Sequence, residues 1–151
     1  MNTLAVPHFQ QQHPYTCIPA CARMVLAYWG HTHSEEELAQ AFGTMPFLGT
    51  LPEKAVDGLK KLGYHALWFE NATIERLLNL LAHKWPVVVF LRAADLPYGR
   101  AGLHAIVLVD VEEKSVICQD PSLTISDFRL DISIFLRAWS ALDRQGFVIW
   151  A

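Results

Sequence analysis

His13-Pro14-Tyr15-Thr16-Cys17-Ile18-Pro19-Ala20-Cys21-Ala22-Arg23-Met24-Val25-Leu26-Ala27-Tyr28-Trp29-Gly30 is a polar turn that runs into an apolar helix. Ala20, Cys21, Met24, Val25 and Tyr28 fall on one side of a helix predicted from about Ile18 to Trp29. Pro19 sits in its first turn, where a missing N–H does no harm, and Gly30 stops it. Cys17 stands where the turn gives way to the helix. A cysteine there meets the free N–H groups and the positive end of the helix dipole, which favour thiolate over thiol, and the thiolate is the form that attacks. A lone cysteine at a helix start is ordinarily a small buried residue, so a nucleophile reading needs partners further along the chain.

Outward from this helix, Ser34 with Glu37 forms a capping box for a second helix ending near Gly43. Thr50 with Glu53 repeats the device for a third, which carries Leu51, Ala55, Leu59 and Leu62 and ends at Gly63. Tyr64–Glu70 reads as a strand, and Thr73 caps a helix containing Ile74, Leu77, Leu78 and Leu81. The continuous apolar run Pro86–Leu91 is expected to be a strand buried on both faces. Asp95–Gly102, with Pro, Tyr and two Gly, is a loop. His104–Val111 and Ser115–Gln119 flank the polar turn Glu112-Glu113-Lys114 as a hairpin. A short helix from Ile132 to Ala141 and a strand at Gly146–Trp150 follow. The fold class is therefore α+β, with N-terminal helices packed on an antiparallel sheet in one domain over residues 1–151.

The hairpin supplies the partners. His104 opens one strand directly after a Gly-containing loop, and Asp120 ends the other, before Pro121 stops the ladder. A tight turn returns residue 120 to the same end as residue 104, so Asp120 is expected to orient the imidazole through its Nδ1–H. In isolation His104 reads as a strand-end histidine and Asp120 as an ordinary turn aspartate; together with Cys17 they form a nucleophile, a base and an orienting carboxylate. Such a site also needs a donor for the oxyanion. Gln10, Gln11 and Gln12 are equally placed for it.

The stretch Val6-Pro7-His8-Phe9-Gln10-Gln11, with Cys17-Ile18-Pro19-Ala20-Cys21, Met24-Val25-Leu26 and Tyr28-Trp29-Gly30, resembles the start of C39-type peptidases. These are papain-like bacterial enzymes known as leader-cleaving domains of peptide exporters. Glu36–Gly43, Leu51–Gly63 and Pro86–Leu91 look like the family's middle helices and core strand. His104 with its apolar run, and Asp120-Pro121, match its closing signature. The resemblance covers residues 5 to 122. It implies a papain-like fold and a peptide or protein substrate, and it selects Gln11, six residues before Cys17, as the oxyanion donor beside the Cys17 N–H. Ile18 departs from the Gly that usually follows the nucleophile and is expected to narrow the approach to the thiolate. No transporter segment accompanies the motifs, which implies a stand-alone domain.

Composition limits the rest. Apolar residues make up 52% and charged ones 18%, which gives a packed chain rather than a disordered one. A net charge of −3 offers no basic footprint, so no nucleic-acid partner is expected. The apolar runs are too short for a membrane span. Three cysteines are too few for a disulfide scaffold, and there is no basic-then-apolar leader, so the expected setting is cytoplasmic. Cys21 and the pair His31 and His33 read as core packing and a solvated turn rather than zinc ligands; neither metal nor cofactor is expected. Cys118, on the same strand face as Asp120, reads as core. The acidic run Glu35-Glu36-Glu37 favours a helix dipole and calls for no functional role. The expected activity is peptide hydrolysis through a Cys-His-Asp triad and a thioester. The alternatives are a catalytically weak peptide-binding module, or a papain-like acyltransferase, deamidase or toxin effector.

Overall fold

Val87, Val88, Val89, Phe90 and Leu91 have no exposed surface in the computed structural model, which describes residues 3–151. They belong to the strand about which the fold is arranged. In chain order the elements are α1 (Cys17–Tyr28), α2 (Glu35–Ala41), α3 (Pro52–Lys61), β1 (His65–Phe69), α4 (Ile74–Ala82), β2 (Val87–Arg92), β3 (Leu103–Val111), β4 (Ser115–Gln119), β5 (Phe128–Asp131), α5 (Ile132–Ser140) and β6 (Gly146–Trp150). The strands form one sheet in the order β1-β6-β2-β3-β4-β5, with antiparallel neighbours throughout. A strand buried on both faces needs cover on both sides. Helix α1 packs on β3 and β6, and α5 packs on β2. Trp139, Phe135, Phe90 and Phe147 are fully buried, so the aromatics supply much of the apolar area in the core.

Local signals explain most of the boundaries. Gly30 takes a left-handed φ of +90° directly after α1, a conformation open to a residue without Cβ. The Ser34 side chain accepts from the Glu37 N–H at 3.1 Å, and Thr73 does the same for Arg76. The reciprocal half of the capping box is absent, because the Glu37 carboxylate bonds His33 Nδ1 instead. Thr50 does not cap α3. That helix begins at Pro52, whose fixed φ sets the first helical position, and Thr50 hydrogen-bonds Thr44 across a small turn at 2.5 Å. Strand β5 has no counterpart among the elements expected from sequence. It has four residues with charged Arg129 turned outward, and it pairs with β4 before Asp131 caps α5.

Gly146 lies where β6 passes between β1 and β2. A Cβ there would stand 2.4 Å from the Val88 carbonyl oxygen and 2.8 Å from the Phe69 ring. Backbone cannot yield as a side-chain tip can. Gly146→Ala is expected to lower stability by about 2–3 kcal/mol, read as a drop in the urea midpoint, as overpacking does in a filled core.

Candidate active site

Cys17 is the first residue of α1. The Thr16 side chain does not cap this helix; its hydroxyl donates to the His13 carbonyl at 3.0 Å and accepts the His13 N–H at 3.1 Å. The first helical bond is that of Ala20 N–H to the Thr16 carbonyl. Pro19 has no N–H, so Cys17 and Ile18 hold the two first-turn N–H groups that lack an intrahelical partner. Cys17 is half-buried, whereas Cys21 and Cys118 are fully buried, and burial pushes both of those thiols well up from the ordinary range. Ile18 is also buried, at 2% exposure, and packs into the core. It also lines the cavity beside Cys17.

His104, 3% exposed, is the second residue of β3 and lies opposite Leu91 of β2. Its Nε2 is 2.7 Å from Asp120 Oδ1. The bond to Asp120 expected of the hairpin is present, but through Nε2 and not Nδ1. The sequence fixes which residues meet at the strand ends, while the ring's rotamer decides which nitrogen faces the carboxylate. Nδ1 takes no part in that bond, and Cys17 is the other group that favours the protonated ring. Burial alone would push the imidazole down; the bonds to Asp120 and Cys17 outweigh it and raise His104 to about 9. Burial likewise works against ionising Asp120, yet His104 and the donors around the carboxylate hold it below the usual range.

Those donors went unread in the sequence. Tyr98 Oη donates to Asp120 Oδ2, and the Ser122 N–H and hydroxyl donate to Oδ1 at 2.9 and 2.8 Å. In the sequence Tyr98 reads only as part of the loop Asp95–Gly102. Burial and the Asp120 charge push its phenol far up, so it remains a donor at any working pH. Its ring also meets the His104 ring edge-on, at 6.2 Å between centroids.

Gln11 arrives by a different route. The extended N-terminal segment is tied along the sheet by Leu4 N–H to the Val109 carbonyl and by Gln119 Nε2 to the Val6 carbonyl. His8 Nε2 donates to the Asp120 carbonyl, and Gln11 N–H donates to the Pro121 carbonyl at 2.7 Å. The Gln11 side chain donates one amide hydrogen to the His13 carbonyl at 2.7 Å, which fixes the orientation of the amide. Its Oε1 is buried without a partner, and among the described residues no hydrogen bond links it to Cys17. Glu35 holds the next residue: both carboxylate oxygens accept the Gln12 N–H, at 3.0 and 3.2 Å, and Glu35 is 2% exposed. The acidic run is thus not uniformly solvated, because its first member braces the loop that carries Gln11.

Two cavities flank Pro14. One, of about 520 Å³, is lined by Cys17 and Ile18 with Phe47, Leu48, Leu51 and Leu103. The other, of about 220 Å³, is polar and is lined by Gln11, Gln12, His13, Arg100 and Ser122. His31 and His33 lie elsewhere, with His33 held between Glu37 and Tyr64. No described helix is long and apolar enough to cross a membrane.

The signs of the two shifts set a pH window. A His104 raised to about 9 contributes fully below pH 6.5 and loses that contribution as pH rises through about 9. A lowered Asp120 contributes above its ordinary 3.8 and loses that as pH falls through its folded value. The urea midpoint is expected to be highest between about pH 4 and pH 6.5, with the alkaline decline removed in Asp120→Asn. Tyr98→Phe, which strips a donor from the buried carboxylate, is expected to cost about 1.5–3 kcal/mol at pH 6 in the same measurement.

The family model described as "Peptidase_C39 like family" matches residues 3–147. Among solved structures, one described as a C39-like peptidase from Bacillus anthracis superposes with a TM-score of 0.82 at 20% identity, covering 99% of this chain and 97% of that one. The peptidase domain of Streptococcus ComA, a bi-functional ABC transporter involved in a quorum-sensing pathway, gives 0.74 at 19%, over 99% and 98%. A double glycine motif protease from an AMS/PCAT transporter, solved in complex with the leader peptide, gives 0.74 at 19%, over 97% and 92%. At these identities the likeness is one of fold. No curated protein matches.

Proposed function

Because the chain belongs to the Peptidase_C39-like family, we propose that it is a cysteine peptidase in which Cys17 attacks a peptide carbonyl, His104 moves the protons and Asp120 anchors the imidazole. The observation that carries this reading is the His104 ring, bonded through Nε2 to a buried carboxylate and favoured in its protonated form by both Asp120 and a helix N-terminal cysteine. An imidazole raised to about 9 is protonated at neutral pH, which suits a thiolate partner.

In the first step the sulfur bonds to the carbonyl carbon and the C=O electron pair moves onto oxygen. The Cys17 N–H and the second amide hydrogen of Gln11 are the donors proposed for that oxygen. As the tetrahedral species collapses, the C–N bond breaks, His104 gives its proton to the leaving amine, and a thioester remains. His104 then takes a proton from water, whose oxygen adds to the thioester carbonyl. The acid leaves, and thiolate and imidazolium are restored. Asp120 keeps Nε2 occupied throughout, so that Nδ1 does the proton work. The whole of residues 1–151 serves as one catalytic unit, and the relative solved with a bound leader peptide supports a peptide as the ligand.

Digestion of a peptide library, read by mass spectrometry, tests the roles separately. Cys17→Ala is expected to abolish cleavage, and Gln11→Ala to lower kcat about 10²–10³-fold, as loss of an oxyanion donor does. His104→Ala is expected to remove rapid labelling of Cys17 by iodoacetamide at pH 6. Cleavage that persists in Cys17→Ala would overturn the proposal. So would a wild type that binds peptides as tightly as Cys17→Ala and cuts none, which is the behaviour of a docking module.

A further inference from the structure

We propose that the apolar cavity beside Cys17 is a subsite for one bulky apolar side chain of the substrate, so that the bond attacked lies next to a residue of the Phe, Leu or Met class. The proposal rests on Cys17 being the nucleophile and adds the substrate's chemistry to it. Among the described residues, nine large hydrophobic side chains are exposed: Met45, Phe47, Leu48, Leu51, Leu62, Leu67, Leu78, Leu103 and Ile125. Four of them, Phe47, Leu48, Leu51 and Leu103, line this one cavity, and Met45 belongs to the same turn. No charged side chain lines it. Exposed apolar residues scattered singly need no explanation, but a cluster around one cavity marks a binding surface.

The wall is built to present these groups. Met45 and Gly49 exchange both backbone hydrogen bonds, at 3.0 and 2.8 Å, and the Thr44–Thr50 hydroxyl contact closes the base of the turn. Phe47 stands at the tip, 96% exposed, in a left-handed backbone (φ +70°) that a bulky residue seldom adopts. Leu48 beside it is 78% exposed. On the far wall, Leu103 opens the strand that carries His104. Cys17 and Ile18 belong to the same lining, which puts the cavity beside the residue proposed to attack. At about 520 Å³ the cavity is within the range of ligand sites. A pair of glycines beside the attacked bond would leave it empty. A phenyl or isobutyl group would cover Leu48, Leu51 and Leu103 and remove apolar surface from water on both partners.

Alkylation tests this apart from hydrolysis. The wild type is treated at pH 7 with 2-chloroacetamide and with N-benzyl-2-chloroacetamide. Rates at Cys17 are read by mass spectrometry, each divided by the rate with glutathione. A benzyl preference of roughly 10- to 100-fold is expected from burying one aromatic group. Leu48→Asp and Phe47→Ser are each expected to reduce that preference at least several-fold, and Leu48→Met to retain most of it. Both positions are so exposed that folding is not at stake, and an unchanged urea midpoint checks this. Equal normalised rates for the two reagents, with Cys17 still labelled faster than Cys118, would overturn the subsite while leaving the nucleophile intact. A Cys17 inert to both reagents would overturn both. In the library digest, cleavage flanking Phe, Leu or Met supports the subsite, and cleavage confined to glycine pairs would overturn it.

Discussion

Asp120 is a carboxylate with no exposed surface, and the arrangement around it follows from the cost of keeping a charge there. An ionised group removed from water is stable only if its lone pairs are matched by donors. Asp120 has four of them: His104 Nε2, Tyr98 Oη, and the N–H and hydroxyl of Ser122. They come from the start of β3, the loop before it and the turn after β4. One buried charge therefore ties three segments that are otherwise only neighbours. The imidazole is held by the same means, since protonated His104 is the partner that makes the burial of Asp120 tolerable.

A second buried carboxylate plays a similar part on the other side of Cys17. Glu35, at the start of α2, spends both oxygens on one backbone N–H in the loop that carries Gln11. That loop is held at its other end by the Gln11 N–H on the Pro121 carbonyl, one residue beyond Asp120. The N-terminal strap and the β3–β4 hairpin are thus joined beside the site by short-range bonds, although more than a hundred residues separate them in sequence. An extended segment without sheet partners of its own gains its order from these bonds.

Much of this was legible in the sequence because periodicity and punctuation report it directly. The apolar face of α1, the all-apolar run of β2 and the polar turn between β3 and β4 set the layers and brought His104 and Asp120 to one end. The misreadings occur where tertiary contacts decide. Thr50 and Glu53 have capping-box spacing, but Pro52 claims the first helical position and leaves Thr50 outside. Strand β5 is short, carries an exposed Arg129 and exists through its pairing with β4. Glu35 is identical in type to Glu36 and Glu37, yet it alone turns inward to a partner 23 residues away. The ring nitrogen facing Asp120 depends on a rotamer, and Tyr98 as donor depends on a loop path; neither leaves a trace in spacing.

Environment also separates the three thiols, which composition cannot. Cys21 and Cys118 lie wholly in the core, where burial disfavours the thiolate and neither ligand nor oxidant has access. Cys17 alone has exposed surface, a helix N-terminus and an imidazole held in the protonated form. Ile18 looked like an obstacle because a bulky residue stands next to the thiol in sequence. In the helix, consecutive side chains point about 100° apart, so the residue after Cys17 is carried into the core while the thiol stays at the rim. The exposed bulk at the cleft comes from residues 47, 48, 51 and 103, on segments remote in sequence from Cys17, while Ile18 lines it from a buried position. Any selectivity of this cleft is therefore set by the turn before α3 and the first residue of β3, elements that are separate from the bonds that hold His104.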